Sequence, residues 1–377
     1  MTRLAELLRQ RSTAVSVAVL ACLAYVPALT AAPGRMPTDS KLYVYLNPGR
    51  FIVDTTTSFD PRQFAGWVPH QHIAYLWPTA PWFWMFEQLG APDWIAHRLW
   101  IGTLLVVGGL GVRWVSGVLG LAPVAALVAA LVYQLSPYVL PYISRTSVLL
   151  LPWAGLGWIV GLTVLAAQRG RWRFHAAIAL VVLTVGAVNA TALAMIIPAP
   201  TLWLAHAVWN RSITWRRALA TAGKVAVLST AVSLWWIAML IIQGRRGGNV
   251  LAYSESLESV SFTSTSTEVL RGLGYWLFYV RDSFAAATTA SLDHLISIPV
   301  VIAGFGLVLL CLLGIVISEW EHRRFAALLV GAGLVLAVGV HPIDDTSPLM
   351  SVLLGDRESG LALALRSSTR AVPVLML

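Results

Sequence analysis

The stretch AVSVAVLACLAYVPALTAA, residues 14–32, decides the class of this protein. It carries no charge, is about as long as the roughly 20 residues that a bilayer core requires, and follows a short segment with Arg3, Arg9 and Arg11. A basic start, an apolar run and small residues such as those of ALTAA are also typical of a cleaved signal peptide. Because runs of the same kind recur throughout the chain, we interpret this one as an uncleaved first membrane span.

The composition agrees with that interpretation. Hydrophobic residues make up 58% of the chain and charged residues 11%, whereas a soluble domain has about 25% charged residues. The net charge of +9, from 26 basic and 17 acidic residues, fits basic loops beside membrane spans, so no nucleic-acid partner is predicted. Cys22 and Cys311 lie in apolar runs, which excludes a disulfide framework and a thiolate zinc site.

Further apolar runs of spanning length follow the first. They lie near 100–119, 121–143, 148–167, 175–189, 191–209, 218–242, 295–317 and 324–340. A tenth begins at AVPVLML (371–377), where the sequence stops, so we expect the chain to be the N-terminal part of a longer protein. The predicted fold class is an all-α polytopic membrane protein with nine complete spans.

Basic residues indicate the side of the membrane on which each loop lies, because Lys and Arg collect in cytoplasmic loops. They collect at the N-terminus and in QRGRWRFH (168–175), NRSITWRR (210–217) and EWEHRR (319–324). With the N-terminus inside, nine alternating crossings place all four of these segments inside. The same count places three long segments outside, at 33–99, 243–294 and 341–370.

Asp39 is the first candidate for chemistry. It lies a few residues after the first span, where a carboxylate within hydrogen-bond reach could act as a general base on a hydroxyl. The alternative is that TDS, before KLYVYL, caps a helix or forms a turn. Lys41 beside it could pair with Asp39 or with a phosphate.

Glu255 and Glu258 are the candidate acids of the second outer segment. They would share one face of a helix, or they could simply lie in the solvated first turn of a helix.

Other polar residues of the outer segments give weaker signals. They are the acidic pairs Asp54/Asp60 and Asp344/Asp345, the histidines His70 and His72, and the arginines Arg145, Arg245, Arg246, Arg271, Arg281 and Arg370. Two carboxylates or two histidines lack the further ligands that a divalent cation or zinc requires. Guanidinium groups bind phosphate oxygens in a fork, so one or two of the arginines could hold a phosphorylated lipid.

Motifs of nucleotide binding and of soluble hydrolases are missing from the sequence. It contains no P-loop, GxGxxG, nucleophile elbow or metalloprotease signature, and the inner loops are only a few residues long. Any chemistry is therefore expected outside, on an already activated lipid-linked substrate. The tryptophan-rich segment 67–94 is typical of an aromatic belt at the headgroups, or of a groove for a lipid tail or a sugar.

Three segments carry a family resemblance: residues 38–105, STEVLRGLGYWLFYVRD (266–282) and SSTRAVPVLML (367–377). They resemble the large membrane arabinofuranosyltransferases of arabinan-bearing cell envelopes, in particular the α-(1→3)-arabinofuranosyltransferase, AftD-like family. The resemblance covers essentially the whole chain. Full-length members are far longer, so this chain would be their N-terminal catalytic core, with the first outer loop at 33–99 and the second at 243–294.

The resemblance implies a GT-C-type transmembrane helix bundle with short surface helices in the outer loops. It implies a polyprenyl-phosphate-sugar-dependent pentosyltransferase of the plasma membrane, with its active site on the outer (periplasmic) face. The implied donor is decaprenyl-phosphoryl arabinofuranose. Its arabinofuranose would be transferred, with inversion, to a hydroxyl of an arabinan acceptor in arabinogalactan or lipoarabinomannan.

The resemblance also implies roles for four residues. Asp39 matches the catalytic base, Glu255 is the next site acid, and Lys41 and Arg145 would contact the donor phosphate. Many GT-C members have two adjacent acids where this chain has Asp39-Ser40. That departure favours a single base over a bound divalent cation such as Mg²⁺, Mn²⁺ or Ca²⁺.

Two functions from other classes compete with the transferase. A flippase for lipid-linked sugar would place ionisable residues near the bilayer midplane and often show internal repeats. Lys224 and Arg113 instead lie near the ends of their runs, and no repeat is evident. A non-catalytic scaffold for cell-wall synthesis is the third interpretation.

Overall fold

A computed structural model describes residues 2–57, 59–60, 66–68, 72–248, 255–354 and 365–377. Within these ranges the chain has no strand beyond two isolated antiparallel bridges, Asp60–Trp67 and Arg281–Ala286. The helices are α1 Thr2–Thr30, α2 Tyr43–Leu46, α3 Pro48–Asp54, α4 Thr79–Gln88, α5 Asp93–Val118, α6 Pro123–Gln134, α7 Val139–Arg145, α8 Leu150–Arg169, α9 Trp172–Val185, α10 Ala190–Ile196, α11 Pro198–Trp209, α12 Trp215–Arg246, α13 Leu257–Thr263, α14 Ser266–Leu270, α15 Ala290–Ile296, α16 Ile298–Ile317, α17 Arg323–Val338, α18 Pro348–Leu354 and α19 Val372–Met376. The predicted all-α class is confirmed.

Six stretches of the described helices are long and apolar enough to cross a membrane. They are Ser12–Thr30, Asp93–Val118, Ser147–Arg169, Ala190–Trp209, Trp215–Arg246 and Ile298–Ile317. α6 and α7 would together form a seventh. Their helix breaks at Ser136-Pro137, because proline has no N–H to donate and disfavours the helical conformation of the residue before it.

Two of the nine predicted spans are shorter than the sequence indicated. α9 has 14 residues and α17 has 16, so at 1.5 Å per residue they are about 21 and 24 Å long, against a hydrocarbon core of about 30 Å. Helices occupy all nine runs, but only six or seven crossings are supported by length among the described residues. The alternating assignment of sides needs every crossing, so the sidedness of the loops stays a prediction.

One compact unit, the first unit, comprises Met1–Leu135, Arg145–Val188 and Leu219–Gly248. Its centre is the pair α5 and α8, where a Cβ added to Gly157 would lie 2.5 Å from the backbone carbonyl carbon of Gly111. Small residues allow apolar helices to approach this closely. This close contact fixes α5 and α8 relative to each other. His97 lies near the start of α5, and Ser147 lies one turn before the start of α8.

The second unit comprises Ser136–Ser144, Asn189–Ala218 and Asn249–Leu377. Within it, a short 3₁₀ turn, Ser368–Ala371, packs with α19 against α17. A Cβ on Gly333 would lie 2.5 Å from the backbone nitrogen of Leu375, and the Ser368 hydroxyl donates to the carbonyl of Ala337 at 3.1 Å. This support holds the segment 366–371 in the interior of the second unit.

Candidate active site

Asp39 lies in the turn that follows α1, and its carboxylate is buried, with 3% of the residue exposed. The backbone N–H of Ser40 donates to Asp39 Oδ1 at 2.7 Å and also to the carbonyl of Arg145 at 2.9 Å. Lys41 then takes a positive φ of 58°, which reverses the chain into α2. The turn therefore directs the carboxylate inward, towards the ends of α5 and α8.

Three further donors reach the Asp39 carboxylate. The backbone N–H of Ser147 donates to Oδ1 at 3.1 Å, the Ser147 hydroxyl donates to Oδ2, and Nε2 of His97 lies 3.0 Å from Oδ2. The Tyr45 hydroxyl also lies beside Asp39 and Ser147, and burial, followed by the charge of Asp39, raises the pKa of Tyr45 well above its ordinary value. A buried carboxylate persists only with such partners.

The donors are themselves held in place. Trp100 Nε1 donates to the Ser147 hydroxyl at 3.0 Å, so that this hydroxyl accepts from one side and donates to Asp39 on the other. The ring of His97 packs edge-on against Tyr45 at 5.4 Å between centroids. Nδ1 of His97 is buried and has no hydrogen-bond partner among the residues the structure describes. We call Asp39, His97 and Ser147 the carboxylate cluster.

Lys41 and Arg145, the predicted phosphate contacts, flank this cluster differently. The half-buried Lys41 ammonium lies over the ring of Tyr75 at 5.0 Å from its centroid, and burial lowers the pKa of Lys41 to about 8. Arg145 contributes its backbone carbonyl to the Ser40 turn, while its side chain is exposed. The structure thus brings Lys41 and the backbone of Arg145 to the turn that carries Asp39.

Glu255 belongs to a different group of charges, in the second unit. Its carboxylate accepts hydrogen bonds from the Ser367 hydroxyl and, at 3.2 Å, from Trp276 Nε1. Arg370 Nη2 lies 3.7 Å from Glu255 Oε1. The predicted helix face shared with Glu258 does not form, because Ser256 caps α13 and leaves Glu255 outside the helix.

The remaining polar candidates have structural contacts. Asp54 pairs with Arg50 at 3.1 Å on the surface of α3, and Arg271 pairs with Glu268 at 2.9 Å. Others are exposed: Arg245, Arg246, Arg281, Asp344 and Asp345. Asp60 and His72 are buried, and His70 lies outside the described residues. Across the described ranges, no group of three or more His, Cys, Asp or Glu side chains is arranged to hold a metal ion.

Several residues at these two clusters were not singled out by sequence reasoning. His97 and Ser147 reach Asp39 from 58 and 108 residues away, and Ser367 reaches Glu255 from 112 residues away. None stands in a recognisable motif. Two indirect signals were available: His97 is a polar residue near the start of a spanning helix, and Ser367 lies in a segment that carried the family resemblance.

Comparison with known proteins places this chain in a family. The family model described as "Alpha-(1->3)-arabinofuranosyltransferase, N-terminal GT-C domain" matches residues 23–365. The α-(1→3)-arabinofuranosyltransferase of Mycobacterium tuberculosis is 31% identical over 278 residues, which are 71% of this chain and 19% of that protein. The enzyme of the same name from Mycolicibacterium smegmatis is 31% identical over 265 residues, 68% of this chain and 18% of that protein.

Solved structures agree in fold. A cryo-EM structure of the arabinofuranosyltransferase AftD from Mycobacteria matches with a TM-score of 0.67 at 24% identity, over 94% of this chain and 24% of that one. A structure of a mutant of that protein matches with a TM-score of 0.66 at 25% identity, over 93% and 24%. The chain spans about a fifth of the length of the curated relatives it matches. It is a multi-pass membrane protein of the GT-C fold, and it belongs to the family of α-(1→3)-arabinofuranosyltransferase N-terminal GT-C domains.

Proposed function

We propose that this chain is the catalytic part of an arabinofuranosyltransferase. It transfers arabinofuranose from decaprenyl-phosphoryl arabinofuranose to a hydroxyl of an arabinan chain in arabinogalactan or lipoarabinomannan, at the outer face of the plasma membrane. The observation that carries the proposal is the buried Asp39 carboxylate, held by His97 and Ser147 in a chain of this family.

The proposed reaction is a direct displacement with inversion. The acceptor hydroxyl oxygen attacks the anomeric carbon of the donor, and its bond to that carbon forms as the bond from carbon to phosphate oxygen breaks. Asp39 takes the proton of the hydroxyl, and decaprenyl phosphate leaves with the bonding electrons. A base whose direction is fixed before the substrate arrives loses little conformational entropy on reaching the transition state.

The four donors around Asp39 restrict how the proton reaches it. Oδ1 accepts two backbone N–H bonds, whose donors cannot turn away. Oδ2 accepts from the Ser147 hydroxyl, from His97 and, at a longer 3.3 Å, from the backbone N–H of Ser147; of these donors the hydroxyl can rotate to release a lone pair. We therefore infer that Oδ2 is the oxygen that accepts the proton, with the Ser147 hydroxyl turning aside as the acceptor enters.

The leaving phosphate needs cations, because its negative charge grows as the bond breaks. Lys41 lies two residues from the proposed base, and at a pKa of about 8 it is mostly protonated at neutral pH. Lys41 and Arg145 are the proposed phosphate contacts of the first unit. Glu255 is the proposed second site acid, acting through the groups that it binds, Ser367 and Arg370.

A transfer assay tests the function directly. The full-length natural protein is purified into lipid nanodiscs and given decaprenyl-phosphoryl arabinofuranose labelled in the sugar, with a synthetic arabinoside acceptor. A product one pentose longer supports the transferase. In sealed proteoliposomes, donor that crosses the bilayer without any product identifies a flippase instead, and neither product nor crossing identifies a scaffold.

A further inference from the structure

The side chain of Tyr45 lies against the carboxylate cluster without bonding to it. Tyr45 is 1% exposed, and its ring packs edge-on against Phe83 at 4.6 Å and against His97 at 5.4 Å between centroids. These contacts hold the ring in place. Its hydroxyl is buried and has no hydrogen-bond partner among the residues that the structure describes. A buried hydroxyl without a partner costs stability, so its presence calls for a further role.

The Tyr45 hydroxyl is suited to accept a hydrogen bond. Burial, followed by the charge of Asp39, raises the pKa of Tyr45 well above its ordinary value, while the nearby Ser147 hydroxyl acts in the opposite direction, as a donor does. The phenol therefore stays protonated and neutral at neutral pH, and its oxygen keeps the capacity to accept. Ser147 is thus the neighbour from which Tyr45 can receive a hydrogen bond.

The Ser147 hydroxyl can change its acceptor without moving its oxygen. Trp100 Nε1 donates to this oxygen at 3.0 Å, and the backbone N–H of Ser147 donates to Asp39 Oδ1 at 3.1 Å. With the oxygen and the backbone both held, the hydroxyl hydrogen can still rotate about the Cβ–Oγ bond. In the structure this hydroxyl donates to Asp39 Oδ2. A hydrogen that leaves Oδ2 needs another acceptor in this buried place, and Tyr45 supplies one.

We propose that Tyr45 is a positioning residue that receives the Ser147 hydrogen bond when the acceptor sugar enters. The inference rests on the proposed function. In the empty site Ser147 donates to Asp39 Oδ2. When the acceptor hydroxyl donates to Oδ2 in its place, the Ser147 hydroxyl turns to the oxygen of Tyr45. No covalent bond forms or breaks in this step, and Ser147 exchanges one hydrogen bond for another, which opens Oδ2 to the substrate.

Tyr45→Phe tests this role, because it removes the hydroxyl and keeps the ring. The displaced Ser147 hydroxyl then has no acceptor, so the kcat/KM for a synthetic arabinoside should fall by roughly tenfold, while the KM for decaprenyl-phosphoryl arabinofuranose stays unchanged. The Tm of the full-length protein in nanodiscs should not fall, since the lost hydroxyl has no partner among the described residues. A lowered Tm with an unchanged kcat/KM identifies a structural role and overturns the proposal.

The matched control is Tyr25→Phe, which removes a hydroxyl of the same unit that lies 2.8 Å from the Thr103 hydroxyl. It should leave kcat/KM unchanged.

A double substitution shows whether Tyr45 acts through Ser147. Ser147→Ala removes the hydroxyl that turns and keeps the backbone donor to Asp39, so adding Tyr45→Phe should cause no further loss. Ser147→Cys, whose thiol donates only weakly, should likewise reduce the effect of Tyr45→Phe. Equal losses from Tyr45→Phe in all three backgrounds overturn the inference.

Binding of the acceptor separates this inference from the proposed transfer. The synthetic arabinoside is titrated into the full-length protein in nanodiscs without donor, and tryptophan fluorescence is followed. Tyr45→Phe should weaken the affinity several-fold, and Ser147→Ala should cancel that loss. A protein that shows this coupling but makes no product contradicts the proposed transfer and leaves the role of Tyr45 standing. Unchanged affinity and unchanged transfer in Tyr45→Phe overturn the role of Tyr45 and leave the transfer standing.

Discussion

Asp39 in the first unit and Glu255 in the second unit are two acids held by different kinds of partner. Asp39 is one negative group that accepts hydrogen bonds from two backbone N–H groups, a hydroxyl and an imidazole. Glu255 accepts hydrogen bonds from the Ser367 hydroxyl and Trp276 Nε1, and it lies 3.7 Å from Arg370 Nη2. Backbone groups thus orient Asp39, whereas side chains, one of them a guanidinium, surround Glu255.

This difference indicates how firmly each acid is held in direction. Two of the donors to Asp39 are backbone N–H groups, which cannot rotate away from the carboxylate. The partners of Glu255 are side chains, which can change rotamer. The fixed direction of Asp39 agrees with its proposed role as the base, and substitutions in the carboxylate cluster can break or sharpen that proposal.

The largest effect is expected from Asp39→Asn. The amide has nearly the same shape but cannot accept the proton of the hydroxyl, and general bases contribute about 10²–10⁴-fold to rate. The kcat for arabinose transfer should fall by that factor, while the affinity for decaprenyl phosphate stays within about twofold.

The matched control for this change is Asp54→Asn, which removes a half-buried carboxylate of the same unit whose partner is the exposed Arg50. It should leave kcat unchanged, since exposed ion pairs contribute only about 0–1 kcal/mol to stability. Full activity of Asp39→Asn would show that another group is the base, and that the carboxylate cluster holds the turn after α1 together.

A smaller effect is expected from substitutions of His97. His97→Leu removes one donor to Oδ2 and leaves the Ser147 hydroxyl as the remaining side-chain donor to the carboxylate. The kcat should therefore fall roughly tenfold to a hundredfold with little change in KM. His97→Gln retains an N–H that can reach Oδ2 and should recover part of the loss. If His97 only stabilises the fold, the Tm of both variants should fall in proportion to their activity, and His97→Gln should have the same kcat as His97→Leu.

The sequence predicted the helices better than the clusters, for a physical reason. Apolar runs between proline, glycine and basic residues form helices whatever their neighbours are, and all nine runs did so. Their lengths depend on tertiary contacts, and α9 and α17 ended early. Asp39 could be predicted from its place after the first run, but nothing local to His97 or Ser147 indicates that they converge on it.

The contacts of Glu255 also could not be predicted from the sequence. Glu255 and Glu258 have the spacing of a shared helix face, yet Ser256 satisfies the N–H of Ser259 and starts the helix after Glu255. Because this one hydrogen bond places Glu255 before the helix, its carboxylate contacts Ser367 and Arg370 instead of sharing a helix face with Glu258.

The smallest predicted effect concerns Lys41 and tests whether its ammonium contacts the donor phosphate. Burial lowers the pKa of Lys41 to about 8, so the ammonium loses its proton as the pH rises through that value, and an attraction to phosphate is lost with it. The KM for the donor should therefore be constant below about pH 7 and rise several-fold by about pH 9.

Lys41→Arg keeps the charge at every accessible pH and should abolish this rise, because arginine does not deprotonate in that range. If the natural protein shows no rise in KM between pH 7 and pH 9, the Lys41 ammonium does not contact the donor phosphate.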